Sequence, residues 1–363
     1  MATFLVHFYS HAVDCAVIDL EQEKPVISFF ESFITNTDLS RSLKNYHQKL
    51  IAKKIKIDSV ECVLGESYVR SSLGTAFYSS PKPIKVDKML LEKILREHSS
   101  SFDASVNIPK IHLENKIINT KLNGYQTLKP YGKEVLEIEI SYFRSFISDG
   151  ILNEIKELFG SFSKDITLHS FSYIKTMMLS SRSTVFTDIP SPFLLIEIEE
   201  DSTTLFFLED TENFELETVF KGSSSMNIFV QKELHVDSHV AKSLLTMYSE
   251  GTLDEQAKIK VEKALEAFRD DWKKEIQKIH TRIVKKPLFG GSLCITASKK
   301  WKELFTKTLR EDEYISSLYG NNAQIFDADS IKIEDLVIFK DSCRHPFHSA
   351  LVTLFLKTRH LDN

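Results

Sequence analysis

Three groups of residues carry side chains and spacings that could do chemistry. The first is His7, Ser10, His11 and Asp14, near the start of the chain. Hydroxyl, imidazole and carboxylate are the parts of a nucleophilic hydrolase. The segment holding them, TFLVHFYSHAVDCAVIDL, is β-branched and aromatic and reads as strand. Strand residues alternate faces, which puts His7 and Tyr9 on one side and Ser10 and Asp14 on the other. No nucleophile elbow is present. The expectation is a core strand with polar residues at its end. The second group is Cys343, His345 and His348. Zinc takes four ligands, or three and a water, and no fourth lies nearby in the chain. Pro346 also breaks any helical face between the histidines, so loop contacts ahead of a last helix fit better. The third group is Glu197, Glu199, Glu200 and Asp201, followed by Ser202, Thr203 and Thr204. A divalent cation could reverse the sign of such a stretch. A solvated acidic turn between two strands accounts for it more simply.

The elements that must position these groups come from a chain of 363 residues, enough for two or three domains. Hydrophobic residues are 42% and charged residues 27%, which excludes disordered and fibrous classes. The net charge of -5 argues against nucleic acid as a partner. Glycine is scarce, 11 in all, under half the usual ~7%. Backbone that wraps phosphate uses glycine for positive φ and close approach. Neither G-x-G-x-x-G nor G-x-x-x-x-G-K occurs. Four scattered cysteines without a C-x-x-C fit a reducing compartment. No stretch is apolar and long enough for a membrane span, and the ending LKTRHLDN is too polar for an amphipathic anchor.

Strand patterns over 1–35 lead into a helix, DLSRSLKNYHQKLIAKK, and then a strand at 57–65. GTAFYSS is a strand that Pro81 and Pro83 should end. A helix opened by Asp87 follows, then strands reaching the turn Asn123-Gly124, then the alternating strand KEVLEIEISYFR. Residues 189–225 give strand-turn-strand-turn-strand. The longest helix runs from 254 to about 280, with an apolar stripe of Ile259, Ala264, Leu265, Phe268, Trp272, Ile276 and Ile279. That stripe is wider than a coiled-coil seam and reads as core. Lysines 49, 53, 54 and 56, and 285, 286, 299, 300 and 302, read as solvated helix ends. Two β-β-(β)-α units, near 4–50 and 193–248, share a layout.

Duplicated β-β-β-α units separated by an α+β insertion resemble the actin-like ATPase superfamily, in its FtsA/PilM-like branch of cell-division and type IV pilus assembly proteins. Three passages carry the resemblance: SVECVLGESYVRSSLGTAFYSSPKPIKVDKMLLEKILREH (59–98), KIINTKLNGYQTLKPYGKEVLEIEISYF (116–143) and FLLIEIEEDSTTLFFLEDTENFELETVFKGSSSMN (193–227). The fold implied is α/β, actin-like (ribonuclease H-like) and two-lobed, with an inserted small α+β subdomain. Residues 1–65 and 143–190 would form the first lobe, 66–142 the insertion, 191–340 the second lobe and 341–363 a closing helix.

The resemblance also locates the nucleotide loops, and there this chain departs from it. The first phosphate loop of the family reads Asp-Ile-Gly and then small residues. His7, Phe8, Tyr9, Ser10 and His11 stand there. The second carries Asp, a glycine run and Thr-Thr-Asp. Here Glu197 replaces the aspartate, Glu199, Glu200 and Asp201 replace the glycines, and Ser202, Thr203 and Thr204 follow. Like charges ~4 Å apart repel by about 4 kcal/mol at an effective dielectric near ~20. The adenosine Gly-Gly corresponds to Ala297 and Ser298; the pair Gly290-Gly291 would lie before the strand rather than after it. The resemblance therefore implies a non-catalytic scaffold with no bound cofactor, or, as the alternative, an ATP/Mg-dependent assembly switch with atypical loops. Its implied partners are proteins of a membrane-associated complex, with self-assembly between copies and membrane contact made through partners. The implied location is cytoplasmic, at the bacterial inner membrane. Asn123, Gly124 and Tyr125 are the expected partner contact, although Asn-Gly also suits a plain hairpin turn.

Overall fold

The computed structural model describes residues 2–9, 12–34, 39–103, 110–127, 129–160, 162–163, 165–180, 192–209, 214–284, 291–319, 324–327, 336–341 and 346–362. They form two compact units, Met1–Ser183 with Ile333–Asn363, and Thr184–Lys332.

In the first unit, β1 (Ala2–Phe8), β2 (Ala12–Asp19) and β3 (Val26–Ile34) are an antiparallel meander, and after α1 (Leu39–Ala52) the strand β4 (Ser59–Leu64) lies parallel to β1. The insertion follows as β5 (Val69–Lys85), α2 (Lys88–Asp103), β6 (Lys110–Leu122), β7 (Tyr125–Gln126) and β8 (Glu134–Ser148). The chain then returns through α3 (Asp149–Phe159), β9 (Ile166–Ser170) and α4 (Phe171–Ser180). Leu43, Tyr46 and Leu50, one helical stripe of α1, pack with Leu152, Ile155 and Phe159 of α3 onto Phe4, Val6 and Phe8. Even-numbered residues of β1 face that core, so the odd-numbered His7 faces the other side.

The insertion has its own sheet, in the order β5-β8-β6-β7, and its own core, where Val86, Leu91, Ile94 and Leu95 meet Ala76, Ile138 and Ile140. Pro81 and Pro83 do not end β5 as expected. The register instead slips between Ser79↔Glu137 and Ile84↔Val135, and the strand runs on to Lys85. A proline has no N–H for a ladder, and a strand on the sheet edge tolerates that. Asn123 and Gly124 take φ of 48° and 82°, the left-handed pair that a tight hairpin needs. Asn123 Oδ1 also accepts from the N–H groups of Leu136 and Glu137, each at 3.0 Å. Those two residues are thus accounted for by the turn, while Tyr125 stands exposed. Buried Glu114 ties the insertion to the larger sheet, accepting from Ser170 N–H at 2.9 Å and from the Ser145 hydroxyl.

The second unit contains β10 (Phe193–Ile198), β11 (Thr203–Leu208), β12 (Phe214–Val219), α5 (Ser225–Leu234), α6 (Ser238–Ser249), α7 (Glu255–Ile283), β13 (Ser292–Ala297), α8 (Lys302–Arg310), α9 (Glu313–Tyr319) and β14 (Gln324–Asp327). The chain then rejoins the first unit with β15 (Ile338–Phe339) and α10 (Pro346–Asp362). The sheets run β15-β3-β2-β1-β4-β9 and β12-β11-β10-β13-β14. Apart from β15 their order and strand directions coincide, so the similar layout expected of the two halves is a true structural duplication. Asp254 caps α7 by accepting from Ala257 N–H at 2.9 Å. The buried stripe of α7 is Val261, Ala264, Leu265, Phe268, Trp272, Ile276, Ile279 and Ile283. Ile259, expected in that stripe, is 58% exposed. Two residues span about 200° of helix, so Ile259 lies opposite Val261.

Candidate functional site

Superposing the duplicated halves in sequence pairs His7 with Glu197, Phe8 with Ile198 and Tyr9 with Glu199. Each half brings a hairpin turn to the same end of its sheet. In the first unit Phe8 pairs with Val13, and Tyr9 N–H donates to Ala12 C=O at 2.8 Å. Ser10 and His11 lie outside the described residues. His7 is directly opposite Asp14 across the hairpin, so the two share a face. The expectation that put them on opposite faces fails because face parity does not carry through a turn.

The His7 ring is stacked on Tyr9 at 4.1 Å and meets Phe171 of α4 at 4.7 Å. His348 of α10 closes the group, 4.7 Å from Phe171 and 5.9 Å from Tyr9. Lys175 Nζ lies over the Phe171 ring at 4.7 Å. All five side chains are buried. At the end of β1, where the resemblance implies a glycine-lined loop, this unit holds packed rings. The place of His348 is thus this stack. Cys343 and His345 lie outside the described residues, and among the described residues no group of three or more His, Cys, Asp or Glu is placed to hold a metal. Cys15 and Cys62 are buried, which pushes both thiols up, with Asp14 adding to the first and Glu61 to the second. Neither is a ready thiolate nucleophile.

In the second unit Glu197 is buried on β10, opposite Thr204 of β11 and beside Thr296 of β13. The acidic turn closes at once: Glu199 N–H donates to Ser202 C=O at 2.9 Å. The segment after β12 then clamps it. Ser223 N–H donates to Glu199 C=O at 3.0 Å and Ser224 N–H to Glu200 C=O at 2.7 Å. The Ser224 hydroxyl reaches Asp201 Oδ1 at 2.8 Å. Thr203 Oγ1 donates to Lys221 C=O at 2.8 Å and accepts from Trp272 Nε1 at 3.0 Å, and the Lys221 ammonium pairs with the Asp271 carboxylate. The amides of Glu199, Ser223 and Ser224 are therefore committed to carbonyls, and the turn's side chains are themselves acidic.

Gly222 makes the clamp possible. A Cβ there would sit well inside van der Waals contact of the Glu199 and Glu200 carbonyl oxygens, which are backbone and cannot swing aside. Gly222→Ala is expected to cost about 1–3 kcal/mol, as overpacking does, measured as a shift of the denaturation midpoint with unchanged slope.

The third loop follows β13. Ser298 C=O accepts from Trp301 N–H at 2.9 Å and Lys302 N–H at 3.0 Å, which starts α8. Gly291 precedes the strand, and Gly290 lies outside the described residues. Lys300 reaches across to Thr246 Oγ1 of α6 at 3.3 Å. Burial lowers its ammonium pKa, and Lys242 works in the same direction against Glu250 and Glu200. A lysine thus ties the loop after β13 to α6. Sequence reasoning found these turn positions but missed Phe171, Lys175 and the Ser223-Ser224 clamp, since nothing in their local pattern marks them, and it read Lys300 as a solvated helix end where it bonds Thr246.

No protein-family model matches the chain, and no curated protein matches it. Solved structures do. A chain of the "PilM-PilN type IV pilus biogenesis complex" is 12% identical, covers 99% of this chain and 99% of its own, and superposes with a TM-score of 0.65. A Bacteroides thetaiotaomicron protein with an actin-like ATPase fold and unknown function is 10% identical over 92% of this chain and 93% of its own, with a TM-score of 0.42. Ethanolamine utilization protein EutJ from Carboxydothermus hydrogenoformans is 7% identical over 97% and 89%, with a TM-score of 0.44. The full-length superposition on the pilus complex, with the duplicated meanders and the inserted sheet, establishes that this chain has the actin-like ATPase fold.

Proposed function

We propose that this chain is a non-catalytic actin-fold scaffold of a bacterial membrane-associated machine, of the type IV pilus kind in preference to cell division, and that it works without nucleotide. The observation that carries the reading is the clamped acidic turn: Glu199, Glu200 and Asp201 fill the turn after β10, and Ser223 and Ser224 N–H donate to the carbonyls of Glu199 and Glu200. The packed rings of Tyr9, His7 and Phe171 add to it from the other unit. The likeness to a chain of the PilM–PilN complex supports the choice of machine. Among the described residues no helix is long and apolar enough to cross a membrane, and on this reading the protein works at the cytoplasmic side of the inner membrane, held by its partners.

The inserted sheet supplies the docking site. β5 is an edge strand of 17 residues. Such an edge invites strand addition by an extended peptide. Phe77 stands on it 65% exposed, away from the α2 core that holds Ala76. Tyr125 marks the opposite edge. Phe77→Lys should lower recovery of partner proteins from the source cells by about tenfold or more, while the melting temperature holds. Equal recovery by both proteins contradicts the docking site.

A further inference from the structure

A buried imidazole in the first unit faces two partners that cannot both be satisfied. His169 is on β9, at the edge of the six-stranded sheet. Its Nε2 lies 3.0 Å from Glu61 Oε2 on β4 and 2.8 Å from Arg359 Nη1 on α10. A ring nitrogen carrying a proton can donate to the carboxylate but has nothing to offer a guanidinium. A bare nitrogen can accept from the guanidinium but repels the carboxylate. The other nitrogen, Nδ1, lies 3.8 Å from Glu114 Oε1 of the insertion. His169 and Glu114 are less than a tenth exposed at their side chains, and Glu61 is 14% exposed, so water does little to settle the conflict.

We propose that His169 is a two-position switch that grips Arg359, and with it the last turns of α10, when Nε2 is bare, and transfers its bond to Glu61 when Nε2 is protonated. In the bare state Nδ1–H points toward Glu114 and Nε2 accepts from Arg359. One proton taken from solvent occupies Nε2, and the ring becomes a cation flanked by two carboxylates. Arg359, now beside a like charge, swings out from a position that is already exposed. α10 also holds the unit through Lys357, whose ammonium donates to the Gln22 carbonyl at 2.9 Å and to that of Leu20, and through Phe355, which packs against His169 and Tyr173 and under the Arg359 guanidinium at 5.8 Å. Release therefore concerns its final turns.

The groups facing the imidazole are Glu61 from β4, Glu114 from β6 and Arg359 from α10; the Tyr173 phenol of α4 shares Glu114 and Arg359 as neighbours, and burial and then Glu114 push it up while Arg359 pulls it down. Burial by itself lowers the pKa of His169. The neighbouring carboxylates of Glu114 and Glu61 outweigh it and the opposing charge of Arg359, so the imidazole stands above its ordinary value. The transition falls above the usual histidine range of about 6.5, where modest changes of pH move the population.

Side-chain nitrogen NMR of the labelled full chain reads the switch directly. The high-pH form should be the Nδ1–H tautomer, with Nε2 unprotonated. Amide exchange in the last turns of α10, corrected for intrinsic rates, should rise about tenfold as His169 takes its proton, the mark of a local opening. Arg359→Ala should move the His169 titration up, and Glu61→Gln should move it down. His169→Gln should leave α10 exchange independent of pH. The Nε2–H tautomer at high pH overturns the proposal, as does α10 protection that is flat across the titration in the unaltered chain. Shifts of the same sign in Arg359→Ala and Glu61→Gln overturn it too. The first two readings need no variant, so failure of a variant to fold does not protect the idea.

Discussion

Trp272→Ala should destabilise the second unit by about 3–5 kcal/mol, the loss expected for a large aromatic removed from a close-packed core. Trp272 is fully buried in the middle of the α7 stripe, with Phe305 of α8 at 5.0 Å. Its indole N–H also donates to Thr203 Oγ1, the residue at which β11 leaves the acidic turn. The alanine variant therefore opens a cavity and removes a support of the turn together. Trp272→Phe separates these losses, since most of the ring volume stays and the hydrogen bond goes. It should cost about 1–3 kcal/mol, near the value of one buried polar group left without its partner. Urea denaturation of the full chain, followed by tryptophan-independent far-ultraviolet dichroism, checks both. Equal midpoints for Trp272→Ala and the unaltered chain would show that α7 does not carry this core.

Acid should weaken the same unit through one histidine. His280 is buried at the end of α7, with Nδ1 3.0 Å from the Tyr314 hydroxyl and Nε2 3.1 Å from the Tyr319 hydroxyl, both on α9. Burial lowers its pKa to about 4. The unfolded chain holds this proton near pH ~6.5, so between the two values the unfolded state binds more protons than the folded one. The stability contributed by neutral His280 is present above pH ~6.5 and is lost as pH falls toward about 4, by roughly 3 kcal/mol in all. Melting curves taken from pH 7 downward should show that slope, with His280→Gln, which keeps a donor and an acceptor for the tyrosines, removing most of it. A slope identical in the two proteins would place the acid sensitivity elsewhere.

Periodicity made much of the fold legible. The stripe of α7 could be read because apolar residues recur every three or four positions, and its one misplaced member, Ile259, sits two residues from Val261 and so on the wrong side of the helix. The halves could be matched because TFLVHF and FLLIEI are both buried strands followed by a turn. Proline was misleading at 81 and 83, since whether a strand tolerates it depends on lying at an edge, which is a property of the sheet and not of the segment. The turns of the candidate site could be placed by their position after those strands, and their chemistry could be read from three carboxylates where glycine was expected. The partners of the turns were hidden. Phe171 and His348 reach His7 from helices far along the chain, and nothing in SFSYIK or HPFHSA marks a ring that will stack there. The clamp by Ser223 and Ser224 is made of backbone amides, which every residue but proline carries, so only Gly222 beside them hinted at a close approach.

The scaffold reading depends on the acidic turn at Glu199–Ser202, clamped by the amides of Ser223 and Ser224, turning a phosphate away. Thermal melting of the full chain with and without millimolar Mg·ATP tests this most directly. Unchanged melting is the predicted result. A stabilisation of about 2.7 kcal/mol, which a ligand at a hundred times its Kd supplies, would contradict it and identify the protein as a nucleotide-dependent switch.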